Sequence, residues 1–557
     1  MIFFGGDYNP DQWPETVWPE DVALMKSAGV NLVTVGVFSW SGLQPAPDSF
    51  DFGWLDRVLA LLADAGIGVC LATPTASPPP WFTRSHPDAM PVNRDGVRLT
   101  HGSRDTYCVS SPAYRQASVR IARELATRYA GNPAIKLWHV HNEYGTTCFC
   151  DRCAAGFRVW LRFRYGNLAA LNEAWGTDFW SQRYGSFEEV LPPRATQYLP
   201  NPAHELDYRR FFSDALLEHY LVQRSVLPGL VTTNFVLGGW VPVDHARWAR
   251  SVDLVAVDDY PASIDDHLAS RAFTADMARG WARAAGHADG RWLLMEHMPG
   301  AVRDSASGIT RSLPPGSSAD VASAYLSRGA VGVMYFQWRA GRGGAEQWHP
   351  AMVPLLDELG PLGTSLRPRS PVVVTAPTAL LYDEECLWAW QSPHLPIRLD
   401  YSALALRWHR ALCGPVDVLP VSAPLGSYSL VVVPALYLMS EATHAALRDF
   451  VSGGGTLVIG FGSGLVDECL RTTPGALDDL IGAGVARRVH LLPGETRPLA
   501  GDGAGVLWFD SLSLRGASAL LRTADGEPAV TTHSYGAGVV RYVATDLDIG
   551  RILGGLP

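Results

Sequence analysis

Over roughly the first 370 residues, short apolar runs alternate with longer stretches in which apolar side chains recur every three or four positions. Runs that short and continuously apolar suit strands buried on both faces, and the helical period between them suits crossover helices. The pattern therefore predicts a parallel sheet. Eight strands are predicted: Phe3–Tyr8, Leu32–Phe38, Gly68–Thr73, Lys136–Glu143, Val231–Val236, Leu254–Tyr260, Trp292–Glu296 and Gly332–Trp338. Eight such units in one domain predict a closed (β/α)8 TIM barrel. A doubly wound open sheet is the competing architecture, but no glycine-rich phosphate loop follows the first strand. In a barrel the chemistry sits at the C-terminal strand ends. Polar residues gather there, in Asp7-Tyr8-Asn9, Ser39-Trp40, His141-Asn142-Glu143, Asp258-Asp259-Tyr260, Glu296-His297 and Gln337-Trp338-Arg339.

The alternation breaks twice. Residues 145–225 form a long insertion after the fourth strand, with a cysteine cluster and an aromatic, proline-rich stretch from Trp175 to Pro202. A loop of that length inside a compact domain is usually functional. Pro368-Arg-Ser-Pro371 reads as a linker, dividing a domain of residues 1–370 from one of residues 371–557. In the second domain Val372–Thr375, Leu430–Val433, Thr456–Ile459 and Val539–Ala544 read as strands of another α/β fold. No cysteine or serine elbow follows Leu430–Val433, so this domain is expected to support or assemble rather than catalyse.

Composition narrows the function. Charged residues are only 18% of the chain and the net charge is −10, which excludes a basic stripe for nucleic acid. The 19 Trp and 19 Tyr offer flat faces with polar handles that suit sugar rings, although their first use is core packing. No apolar run is long enough to cross a membrane. The N-terminus lacks the basic region and small-residue cleavage site of a signal peptide, so cytoplasmic residence is expected. Of the eight cysteines, Cys70, Cys386, Cys413 and Cys469 are scattered, and no disulfide framework is apparent.

Two carboxylates carry the candidate chemistry. Trp138-His-Val-His-Asn142-Glu143 is an apolar strand ending in an amide and a carboxyl, and Arg291-Trp-Leu-Leu-Met-Glu296 is another ending in a carboxyl. Either alone reads as well as a strand-end ion pair. Together, on the fourth and seventh strands of one barrel, they match the acid and nucleophile of a retaining glycosidase, which stand about 5–5.5 Å apart. Cys148-Phe-Cys150-Asp-Arg-Cys153 adds three thiolates, and Cys108 is the fourth. Four soft ligands suit tetrahedral zinc in a closed structural site, with no position left for a catalytic water, which opposes a zinc hydrolase. Merely clustered, unpaired cysteine is the plainer alternative. Arg104, and Glu346 with His349, also fall near the mouth in sequence, where each alone reads as a solvated loop residue.

These motifs resemble glycoside hydrolase family 42, the bacterial β-galactosidases, along nearly the whole chain. The resemblance rests on Gly6-Asp-Tyr-Asn-Pro-Asp-Gln-Trp13, Thr73-Pro-Thr-Ala-Ser-Pro-Pro-Pro-Trp81, Gly102-Ser-Arg-Asp-Thr-Tyr-Cys108 and Asn142-Glu143-Tyr-Gly with the cysteine cluster. It rests equally on Thr232-Thr-Asn-Phe235, Asp258-Asp-Tyr-Pro261, Met295-Glu296 and Phe336-Gln-Trp-Arg339 with Glu346 and His349. It implies that Glu143 is the acid/base and Glu296 the nucleophile, acting on terminal non-reducing β-D-galactose. Arg104 and Asn142 would bind hydroxyls around the reacting carbon, and Glu346 and His349 would hold the far side of the ring. Cys108, Cys148, Cys150 and Cys153 would bind structural zinc, with no organic cofactor. The second domain would be an amidotransferase-like module that assembles a homotrimer.

Two departures from the family pattern stand out. The family usually carries Asn-Trp a little after Met-Glu, where this chain has His297-Met-Pro-Gly-Ala-Val-Arg303-Asp304. That change makes α-L-arabinopyranosides or β-D-fucosides, which lack the 6-hydroxyl, the alternative substrates. With the last predicted strand ending close to Pro557, the family's small C-terminal β domain is expected to be absent. A non-catalytic sugar-binding scaffold is the alternative of another class, and a binder has no use for two carboxylates at the anomeric centre.

Overall fold

The computed structural model describes residues 1–553. Contacts divide the chain into two compact units, residues 1–164, 188–195 and 208–374 in one, and residues 165–187, 196–207 and 375–557 in the other. The long insertion is thus shared, its cysteines staying with the first unit. No helix among the described residues is long and apolar enough to cross a membrane.

The first unit is built on β1 (Phe3–Tyr8), β2 (Leu32–Val35), β3 (Gly68–Thr73), β4 (Ile135–Val140), β5 (Val231–Thr232), β6 (Asn234–Phe235), β7 (Val255–Asp258) and β8 (Trp292–Glu296). A hairpin follows, β9 (Ala301–Arg303) with β10 (Thr310–Ser312), and β11 (Ala330–Tyr335) completes the sheet. The sheet order is β5-β4-β3-β2-β1-β11-β8-β7-β6, all neighbours parallel. Its two ends, β5 and β6, are halves of one segment interrupted at Thr233. β5 pairs with β4 through Trp138↔Val231, and β6 pairs with β7 through Asn234↔Ala256. The predicted single strand Val231–Val236 is therefore two short ones, and through them the barrel closes. Leu32, Cys70, Leu137, Ala256, Leu293, Met295, Val331 and Met334, drawn from six strands, pack together as its buried interior. Long helices such as Pro112–Tyr129 and His267–Ala284 run between the strands.

Several predicted strands overshoot their C-terminal ends. Leu32–Phe38 ends at Val35, Leu254–Tyr260 at Asp258 and Gly332–Trp338 at Tyr335. Lys136–Glu143 ends at Val140, beyond which His141 (φ 66°) and Glu143 (φ 44°) take left-handed backbone. A strand can continue only while it has a partner, and the β3–β4 ladder stops at Thr73↔Val140. Side chains hold the main chain past that point: Thr73 Oγ1 accepts the His141 N–H at 3.0 Å.

The second unit holds a sheet ordered β13 (Val416–Leu419), β12 (Thr378–Leu381), β14 (Leu430–Val433), β15 (Thr456–Gly460), β21 (Gly538–Val543), β20 (Pro528–Tyr535) and β19 (Ser518–Arg522). It is parallel from β13 to β21 and antiparallel thereafter. A smaller antiparallel sheet joins β16 (Ala483–His490), β17 (Arg497–Pro498), β18 (Ala504–Leu514) and β22 (Thr545–Asp546). Val372–Thr375, predicted as a strand, is not one: Val372 and Val373 are exposed, and the first strand is Thr378–Leu381, buried between two neighbours. The antiparallel strands escaped the sequence pattern because they are half-exposed. Alternating burial such as that of Ser518–Arg522 interrupts the apolar run by which a buried parallel strand is recognised.

Candidate active site

The mouth of the barrel concentrates carboxylates. One carboxylate oxygen from each of Glu143, Asp258 and Glu296 lies within 4.8 Å of the other two. Such proximity matches carboxyls about 5–5.5 Å apart across a sugar's anomeric carbon, and is shorter than the roughly 6.5–9.5 Å that admits an inverting water.

Glu296 closes β8 and its residue is only 4% exposed. Asn234 Nδ2 donates to its Oε1 at 3.0 Å and the Tyr260 hydroxyl to its Oε2 at 2.9 Å. Burial, then the charges of Asp7 and Glu143, push its pKa well above the usual glutamate range, while the Tyr260 hydrogen bond and Arg104 pull it back. Asp258, at the end of β7, is pushed well up by burial and then by Glu296, Glu143 and Asp7. Asp7, next to last in β1, is likewise raised by burial, and further by Glu346 and Glu143.

Glu143 sits differently. Its side chain keeps 17% exposure, and Arg104 Nη2 donates to its Oε2 at 2.7 Å, with Asn142 Nδ2 3.3 Å from the same oxygen. Arg104 is held in turn by Asp105 at 3.0 Å and lies over the Phe38 ring. Two residues after Glu143, a β-carbon on Gly145 would stand 2.4 Å from Trp240 Cζ3, so only glycine lets that indole, 62% exposed, lie against the loop.

Behind Glu143 lies a buried polar lattice. His141 contacts Thr75 Oγ1 at 3.0 Å and the Tyr107 hydroxyl at 2.7 Å, and His219 contacts the Tyr144 hydroxyl at 2.8 Å. Burial keeps both imidazoles neutral, with His219 pushed down to about 3.

On the loop after β11, the His349 N–H donates to the Glu346 carbonyl at 3.0 Å, and the His349 ring packs edge-on against Phe336 at 5.1 Å. Burial raises the Glu346 pKa, opposed by His349 and Arg104. Asp304 turns elsewhere: its Oδ1 accepts from the Ser307 N–H at 2.7 Å and from Ser307 Oγ at 2.8 Å, closing the β9–β10 hairpin turn. Asn234, Tyr260, Asp258 and Asp7 lie in the motifs shared with the family, and the sequence assigns them no role. For Asp7, Asp258 and Tyr260 the signal was a place near a strand's C-terminal end; Asn234, which opens β6, carried none.

Cys108, Cys148, Cys150 and Cys153 form a second cluster, all buried, with their Sγ atoms within 4.8 Å of one another. Cys108 lies 3.7 Å from Cys150 and 3.5 Å from Cys153, and Cys150 lies 3.7 Å from Cys153. These separations are far too long for a disulfide. They fit the roughly 3.8 Å edges of a tetrahedron with metal–sulfur bonds of about 2.3 Å.

Comparison with known proteins agrees along the chain. The profile of glycoside hydrolase family 42, described as β-galactosidase, matches residues 7–359, and that of the β-galactosidase trimerisation domain matches residues 376–552. β-Galactosidase BgaB of Geobacillus sp. (strain Y412MC61) is 38% identical over 591 aligned positions, covering 99% of this chain and 86% of that protein. A β-galactosidase of Arthrobacter sp. is 39% identical, covering 98% of this chain and 82% of its own length. The crystal structure of β-galactosidase from Bacillus circulans sp. alkalophilus superposes with a TM-score of 0.93 at 32% identity, covering 99% of this chain and 87% of that one.

Proposed function

Because the chain belongs to glycoside hydrolase family 42, we infer that it is a β-galactosidase, releasing terminal non-reducing β-D-galactose by double displacement. The observation that carries the mechanism is the convergence of Glu143 and Glu296 within 4.8 Å in unlike surroundings. Glu296 attacks the anomeric carbon while Glu143 passes a proton to the departing glycosidic oxygen, giving a galactosyl ester on Glu296. Glu143 then takes a proton from water, which attacks the same carbon and frees Glu296. Arg104 and Asn142 converge on Glu143 and are assigned the hydroxyls near the reacting carbon. Glu346 and His349 are assigned the far side of the ring. NMR of the first-formed sugar tests the pathway: β-galactose is expected, and α-galactose as first product overturns double displacement.

Galactose is favoured over the pyranosides lacking a 6-hydroxyl because the relatives are β-galactosidases. Asp304 commits its Oδ1 to its own turn, so we expect that hydroxyl to keep no more than one hydrogen bond. Fucosides and arabinopyranosides should therefore be slower by only about tenfold, the worth of roughly one neutral hydrogen bond.

Zinc is assigned to the four cysteines as a structural ion. It would bind the loop that follows Arg104 to the loop that follows Glu143, and supply no reacting water. Metal analysis should find about one zinc per chain, and Cys150→Ala should lose thermal stability before it loses intrinsic turnover. The second unit is assigned to homotrimer assembly, supported by its match to a trimerisation domain. Light scattering at three times 60.4 kDa is the expected result, and a monomer overturns it. Among the described residues no cysteine is in a disulfide, which supports a reducing, cytoplasmic compartment.

A further inference from the structure

Between the two glutamates stands a buried side chain to which the reaction above gives no part. Asn234, 1% exposed, opens β6, the second half of the interrupted strand. Its Nδ2 lies 3.0 Å from Asn142 Oδ1, 2.7 Å from Asp258 Oδ2 and 3.0 Å from Glu296 Oε1. Its Oδ1 accepts the Glu143 backbone N–H at 2.8 Å and faces His139 Nε2 at 3.0 Å. Those partners decide which way the amide points. Turned over, it would set its NH2 against a backbone N–H, and its oxygen against two carboxylates and another amide oxygen. They decide the histidine as well. Nε2 must carry the hydrogen, which leaves Nδ1 the group without a partner, as is found.

We propose that Asn234 is a positioning residue for the reaction, one amide that holds the main chain under the proton donor and the carboxylate of the nucleophile at the same time. The proposal rests on the roles assigned to Glu143 and Glu296. Glu143 occupies the left-handed region at φ 44°, which a β-carbon disfavours, so its backbone needs an external hold. Asn234 Oδ1 supplies one. On the other side, Asn234 on Oε1 and Tyr260 on Oε2 give each oxygen of Glu296 its own donor and so fix the plane of that carboxylate. The carboxyl-to-carboxyl distance, on which double displacement depends, thus has one side chain tied to both ends. The break at Thr233 suits this task, since each half of the strand pairs with a different neighbour and Asn234 lies on the half beside β7.

The test uses full-length Asn234→Ala and the near-isosteric Asn234→Asp, with Glu296→Gln alongside. Each is assayed on aryl β-galactosides of graded leaving-group acidity, across the pH range of activity. Asn234→Ala should lose about a hundredfold in kcat/KM, the scale of a misplacement near 1 Å. Its dependence on leaving-group acidity should steepen, because the proton donor is displaced, and its acid limb should move to higher pH. Asn234→Asp keeps an acceptor for the Glu143 N–H but sets a carboxyl against Glu296. Its acid limb should rise while its leaving-group dependence stays near native, and this variant carries the test if Asn234→Ala does not fold. A role in folding alone lowers the active fraction and leaves KM, leaving-group slope and pH profile unchanged. That result, with Glu296→Gln inactive, overturns the proposal for Asn234 and spares the roles of the glutamates. Native turnover by Glu296→Gln overturns the roles themselves.

Discussion

In sequence the fourth and seventh barrel strands end alike, each an apolar run closed by glutamate, yet the structure gives the two ends opposite surroundings. β4 stops at Val140, and Glu143 stands three residues past it in left-handed backbone, its side chain partly exposed and paired with Arg104. β8 runs to Glu296 itself, which is buried and held by the neutral donors Asn234 and Tyr260. A group that hands a proton to a leaving oxygen and takes one from water needs a path to both, which the looser end provides. A group that must bond to carbon needs a fixed line of approach and few waters, which the buried end provides. On the roles proposed for Glu143 and Glu296, identical residues would take different work from where the ladder of backbone hydrogen bonds ends.

The largest effect is expected at Glu296. Glu296→Ala should lose on the order of 10^5-fold or more in turnover on every substrate, the scale of removing a covalent nucleophile. Added azide should restore part of the rate and give the α-galactosyl azide, by attack from the vacated side. Glu143→Ala should lose about 10²–10⁴-fold with poor leaving groups, and much less with nitrophenolates, which need little protonation. Azide should there give the β-galactosyl azide, since it intercepts the ester on Glu296. If chromatography and NMR return the two azides in the opposite assignment, the roles are exchanged.

Tyr260→Phe should have a smaller effect. Its hydroxyl favours the ionised form of Glu296, whose pKa is already raised by burial and by Asp7 and Glu143. Losing that donor raises the pKa further, so the ionised nucleophile disappears at a higher pH as acid is added. The acid limb of kcat/KM should move upward, with a loss of about tenfold to a hundredfold near neutrality, the worth of one hydrogen bond to a charged group. An acid limb that does not move would show that Tyr260 acts on something other than Glu296. The same substitution should leave the leaving-group dependence, which reports on Glu143, close to native.

How much of this was legible in the chain follows a physical division. Near neighbours in the chain account for the apolar runs that become buried strands, the glutamates and aspartates near their ends, and the cysteine spacing. Tertiary structure decided what depends on partners far along the chain. Asn234 reaches the Glu143 backbone across 91 positions and Glu296 across 62, and no local pattern distinguishes it from an asparagine in a turn. The break at Thr233 and the early end of β4 arise where neighbouring strands stop pairing, a property of the closed barrel rather than of either strand. Apolar periodicity reports which face of an element is dry. Which polar groups meet, and so which glutamate donates and which attacks, is set only when the strands close and bring those dry faces together.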